Sequence, residues 1–140
     1  MELAWALEHV RGRRQGALVT VQADGRPQLT HISYAMDDQG IARISITDGR
    51  VKTRNLRRDP RALLHVAGDS FWDYVVLDGT VELSAVASDP HDAAAEELVD
   101  LYRAIGGEHP DWEEYRRAMV QDGRLVARLS ARRAYGVVRS

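Results

Sequence analysis

The chain has 140 residues, a formal net charge of -2 and no cysteine. That length fits one domain, residues 1–140, able to bury roughly 68 % of its unfolded surface, and the missing thiols exclude a disulfide framework, a thiolate metal site and a cysteine nucleophile and fit a cytoplasmic protein. The near-neutral charge argues against the basic surface of a nucleic-acid binder, and a charged N-terminal stretch with no long apolar run argues against a signal peptide or membrane span.

Leu3, Leu7 and Val10 recur at helical spacing ahead of Gly12 and predict a short amphipathic helix. From Gly16 the period becomes two, and Asp24-Gly25 predicts a type I′ hairpin into a second strand from about Pro27 to Ala35. After a turn over residues 37–40, Ile41, Ile44 and Ile46 predict a third strand ending at Asp48-Gly49, so these three strands are expected to form a meander. The segment from Arg50 to Asp59 reads as a short helix stopped by Pro60. A fourth strand is expected over Ala62 to Ala67, and a fifth from about Trp72 to Val86, with a bulge at Asp78-Gly79 where strand character continues straight through. Asp89-Pro90 is expected to cap a helix carrying Leu98, Leu101, Tyr102 and Ile105, and His109-Pro110 to open another with Trp112, Tyr115 and Met119 on one face. Leu125 to Leu129 and Ala134 to Val138 close the chain as strands. Six or seven mostly antiparallel strands with three or four helices predict an α+β fold built on a closed or nearly closed barrel. The tight early hairpins exclude a parallel sheet.

Chemistry concentrates in one place. Lys52 is the only lysine among 19 basic residues, and six of the 19 fall within residues 50 to 61. A compact ammonium in a chain that otherwise uses planar guanidinium groups points to an anion held tightly. A phosphate at the start of the basic helix would meet free backbone N–H groups and the positive end of the dipole, with Arg50, Lys52 and Arg54 adding charge-assisted bonds. Asp48 is the competing cap for that terminus. Arg57, Arg58 and Arg61 read as surface charges or partners of Asp59. The five histidines lack metal-site spacing, no nucleophile elbow or dinucleotide loop is present, and Glu96-Glu97 and Glu113-Glu114 read as helix surface. An anion cradle without an evident acid, base or nucleophile suits a protein whose bound cofactor performs the reaction. Trp72 and Tyr74 share a face of the predicted fifth strand and are either a wall for a flat ring or a plug at a barrel end or dimer contact.

Four stretches carry a likeness to a known family. They are Gly25-Arg26-Pro27-Gln28-Leu29, the block from Lys52 to Arg61, Asp78-Gly79-Thr80, and Tyr102 to Met119. In that order the chain resembles the split-barrel flavin and deazaflavin oxidoreductases related to pyridoxamine 5′-phosphate oxidase, and is most similar to the actinobacterial branch that uses coenzyme F420. The resemblance implies a split β-barrel, a homodimer with cofactor sites at the subunit interface, and F420, or alternatively FMN, as cofactor. Carried over residue by residue, it implies that Arg50, Lys52 and Asn55 hold the cofactor phosphate. Gln28, Leu29 and Thr30 together with Ser45, Ile46 and Thr47 would line the tricyclic ring, and Trp72 and Tyr74 would come from the other subunit. The expected reaction is hydride transfer from reduced deazaflavin to a small electrophilic acceptor such as an enone, a quinone or a pyrrole-type pigment, with His31 or Tyr34 orienting or protonating it. A pyridoxamine 5′-phosphate oxidase-like flavoprotein and a non-catalytic F420 carrier are the alternatives. No nucleic acid, membrane or metal enters this reading. Arg132-Arg133 does not clearly match the substrate residues of the FMN oxidases.

Overall fold

The computed structural model describes residues 1–139. In chain order the elements are α1 (Leu3–Arg11), β1 (Gln15–Val21), β2 (Pro27–Ser33), β3 (Ala35–Met36), β4 (Ile41–Thr47), α2 (Val51–Arg58), β5 (Arg61–Ala67), β6 (Tyr74–Leu83), α3 (Ala93–Gly106), α4 (Trp112–Asp122) and β7 (Arg124–Val137). The seven strands form one antiparallel sheet in the order β2-β1-β5-β6-β7-β4-β3. The strand and helix content matches the sequence expectation, and the curled half-barrel is an α+β split barrel.

The expected meander is not formed. β4 pairs along its length with the last strand, β7, and only Ala42 and Arg43 reach β3. The cause is Tyr34, which breaks the predicted second strand in two. Its ring is fully buried and its hydroxyl donates to the Val10 carbonyl at 2.6 Å, while its own N–H bonds the Arg14 carbonyl at 2.8 Å. A side chain anchored under α1 turns the backbone out of β2, and the chain restarts as β3 at the opposite end of the strand order. Because β2 and β3 adjoin in sequence, the sheet must curl until its ends meet. The closure is incomplete: β2 and β4 approach each other with no ladder between them.

Three local expectations are corrected. The first hairpin turns through residues 22–25 with Gly25 alone at positive φ, +88°, whereas a type I′ turn needs two such residues. The α3 cap is Asp92, not Asp89, because its carboxylate accepts from Ser88, Asp89 and Ala95 N–H groups together. The cap of α4 is Asp111, and His109 Nδ1 accepts from the Asp111 N–H. The bulge between Asp78 and Gly79 is present, and the extra residue belongs to β7, where Arg132 is skipped between Arg133 and Ala131. The two predicted C-terminal strands are one continuous strand across it.

The core fills the concave side of the sheet with Leu18, Ile44, Ile46, Leu64, Leu77, Leu125 and Leu129, roofed by Ala6 and Val10 of α1 and by Leu56 of α2. A satellite cluster of Leu98, Met119 and Val126 seats α3 and α4. Gly79 is required by this packing, since a Cβ there would lie 2.0 Å from the Ser130 carbonyl oxygen. Gly79→Ala should therefore lower the unfolding free energy by about 1–3 kcal/mol in urea denaturation; an unchanged midpoint would show that the β6–β7 approach is looser than described.

Candidate functional site

The basic segment forms α2 with Arg50 at the N-cap and no acidic residue in the first turn. Asp48 does not cap it. Its carboxylate pairs instead with Arg57 at 2.6 Å. The turn into the helix is held by the Thr53 hydroxyl donating to the Thr47 carbonyl at 2.6 Å and by Arg54 donating to the Gly49 carbonyl at 2.8 Å. The first-turn N–H groups of Val51, Lys52 and Thr53 have no intrachain acceptor among the described residues. Such a helix end carries partial positive charge and suits an anion.

Lys52 is half-buried, and neither it nor Arg50 makes an ion pair among the described residues. Burial holds the Lys52 ammonium below the usual lysine range, and the charges of Arg50 and Arg124 push it further the same way. Three cations therefore gather with no acid between them. Arg124 is a residue that sequence reasoning missed. It arrives from the far end of the chain, where β7 places it opposite Thr47. Its Nε is buried without a hydrogen-bond partner.

Asn55 is turned inward rather than toward the helix start. It is 4 % exposed; its amide donates to Thr20 at 3.1 Å and its oxygen accepts from Arg58 at 2.9 Å. Thr20 in turn donates to Gln28 at 3.2 Å, and Arg58 also bonds the Val21 carbonyl. This relay clamps α2 onto β1 and β2. Arg58 is exposed, as expected of a surface charge, and serves Asn55 and Val21, while Asp59 pairs with Arg61 at 2.7 Å.

The remaining expected residues flank the seam between β2 and β4. Gln28 and Thr30 share the inner face of β2, and the Thr30 hydroxyl is buried with no partner. Leu29 faces the other way and is 60 % exposed. On β4, Ile46 points into the core, and Ser45 and Thr47 lie on the opposite face, toward the helices. Leu29 and Ile46 thus offer the seam only their backbone. Trp72 lies in the turn before β6 and is exposed, with its ring edge-on to Phe71. Tyr74 stacks on His65 instead, at 5.6 Å, so within one chain the two do not form a wall. Tyr34 is removed from the candidates as proton donor, because burial pushes its phenol well above the usual range and its hydrogen serves Val10. His31 is exposed on the outer face of β2.

A seam with unpaired edges, an orphaned buried hydroxyl and a corner of unneutralised cations suits a flat molecule that carries a phosphate. Residues 6–137 match the family model of pyridoxamine 5′-phosphate oxidase. The chain belongs to this family. Among solved structures, this pyridoxamine 5′-phosphate oxidase-family chain is similar to a conserved hypothetical protein from Mycobacterium tuberculosis, with 28 % identity and a TM-score of 0.70 over 96 % of this chain and 82 % of that one. It also resembles an F420 reductase, with 23 % identity, a TM-score of 0.68 and coverage of 91 % and 94 %. A heme storage protein from Vibrio cholerae shares the fold as well, at 16 % identity and a TM-score of 0.68 over 97 % and 95 %. The fold alone therefore does not choose the chemistry. Among the described residues, no helix is long and apolar enough to cross a membrane.

The Lys52 environment gives a pH prediction. Because its ammonium is destabilised before any anion arrives, bound phosphate should raise its affinity for the proton, and binding at alkaline pH should take up protons. Affinity for inorganic phosphate should fall as pH rises through the lowered Lys52 value, below the about 10.4 of a free lysine. Calorimetric titration at rising pH checks this, and an affinity unchanged up to about pH 10 would contradict it.

Proposed function

We propose that the protein is an F420-dependent reductase that delivers a hydride to a small electrophilic organic acceptor. The observation that carries this reading is the corner of Arg50, Lys52 and the uncapped start of α2, next to a seam whose strand edges are unpaired. When bound, the deazaflavin supplies the hydride, and the acceptor takes its proton from water. The chain's own part is to bind, orient and shield. Arg50, Lys52 and the first-turn N–H groups take the phosphate. Thr30 offers its unpartnered hydroxyl, and Ser45, Thr47 and the backbones of Leu29 and Ile46 flank the ring. Gln28 and Asn55 keep α2 at the right distance from β2 through Thr20. Asn55, carried over as a phosphate ligand, acts in this reading as a positioning residue. FMN is the competing cofactor, since it ends in a phosphate that the same corner would accept.

A second copy of the chain completes the site in this reading. The outer sheet face aligns Leu29, Val19 and Leu63 in one row, continued by Asp78 and Arg133, and His31, Ala17, His65, Val76 and Tyr135 in the next. Leu29, Tyr135 and Val137 remain exposed there, and Trp72 projects beside them at 71 % exposure. A sheet face of this mixed kind, with apolar side chains beside the Asp78–Arg133 pair and two histidines, suits burial against its own symmetry mate, which would bring Trp72 of one copy toward the seam of the other.

Titration with F420 and with FMN, followed by cofactor fluorescence, tests the reading. F420 should bind, and Lys52→Ala should weaken it by about 1.5–3 kcal/mol. Tight FMN binding with none for F420 would move the assignment to a flavin oxidoreductase, and binding of reduced F420 without its reoxidation across a panel of enones and quinones would indicate a carrier. Sedimentation of the same samples should give a dimer that Leu29→Glu dissociates; a wild-type monomer would remove the shared site.

A further inference from the structure

Behind Ser45 the sheet and the α3–α4 hairpin flank a solvent-open cavity of about 330 Å³, bordered by Tyr102, Ile105, Tyr115, Met119, Ser45 and Arg124. Its walls are aromatic and aliphatic. Tyr115 is fixed by its hydroxyl donating to the Leu98 carbonyl at 3.0 Å, and its ring meets that of Tyr102 edge-on at 5.0 Å. The one charge on the lining is Arg124, whose Nε is buried and unpartnered and to which no carboxylate is paired among the described residues. A half-buried guanidinium without an anion is costly, and its fork geometry matches a carboxylate in two parallel bonds. Sugars or peptides would leave polar groups unmatched against these walls. A ring of modest size bearing one acid group would satisfy both.

We propose that this cavity is the acceptor subsite and takes a conjugated ketone or quinone of one or two rings that carries a carboxylate, held by Arg124 with its ring against Tyr102 and Tyr115. The assignment rests on the cofactor reading above, because Ser45 borders both the cavity and the strip proposed to flank the deazaflavin. The hydride adds to the β carbon of the acceptor's enone, the C=C pair becomes the double bond of an enolate as the C=O pair moves onto oxygen, and water gives up a proton and leaves hydroxide, so that the enol relaxes to the saturated ketone or, from a quinone, to the hydroquinone. The acceptor is reduced and the coenzyme oxidised, with the carboxylate unchanged.

Calorimetry on the purified chain with naphthoate and its neutral amide tests the cavity without turnover. Naphthoate should bind about tenfold or more tightly than the amide. Arg124→Gln should abolish the difference, Arg124→Lys should restore part of it, and Ile105→Trp, which fills the cavity, should lose both ligands while F420 affinity stays within about threefold. Equal binding of acid and amide to the wild type, or naphthoate binding indifferent to Arg124→Gln, would overturn the proposal. Naphthoate held through Arg124 in a chain that binds no F420 would overturn the acceptor role by removing the cofactor, and is thereby distinguished from failure of the cavity itself.

Discussion

Positive charge without a partner organises this molecule. Several arginines elsewhere are neutralised: Arg43 and Arg128 share Glu97, Arg133 meets Asp78, and Arg116 meets Glu96. At the start of α2 it does the reverse. Asp48, the one acid placed to cap the helix, is drawn off to Arg57, and Lys52 sits half-buried between two further cations. Repulsion of this kind lowers stability and persists where an anion from outside supplies the missing charge. The arrangement is rigid, because Thr53 ties the turn to β4 while Asn55 and Thr20 tie the helix to the β1–β2 hairpin.

The seam beside that corner has a different origin. A seven-stranded antiparallel sheet that curls could close completely, and here the burial of Tyr34 beneath α1 prevents it. The strand that would have laddered with β4 is turned away after Ser33, leaving β2 and the upper part of β4 facing each other with free edges. Exposed edges invite pairing with other chains unless something covers them. A flat cofactor lying along the seam, as proposed above, is one such cover.

Much of this was legible in the residues because it is local. Turn signals, the period of two, the Pro60 stop and the crowding of charge after Gly49 each report on a few neighbours in sequence, and they located the strands and the basic helix α2. Pairing order is not local. That β7 inserts between β6 and β4 depends on contacts between chain ends, and the two-residue β3 is too short to leave a periodic signal. Cap assignment failed at Asp89 because three acceptable cap residues crowd the entry to α3, and only Asp92 can collect the N–H groups on both sides. Arg124 was invisible for a related reason. In sequence it is an ordinary residue after a helix-ending glycine, and its meaning appears only in the register with Thr47. Asn55 shows the converse: a polar residue in a basic motif suggests a ligand contact, whereas the fold spends both ends of its amide on Thr20 and Arg58.

The most direct measurement of the account is the amide spectrum of the 15N-labelled protein during titration with F420. The N–H signals of Val51, Lys52 and Thr53 should shift together downfield and saturate with the coenzyme, as expected for backbone donors that gain an anionic acceptor. If the coenzyme binds and those three signals stay in place while others move, the phosphate lies elsewhere and the central claim is wrong.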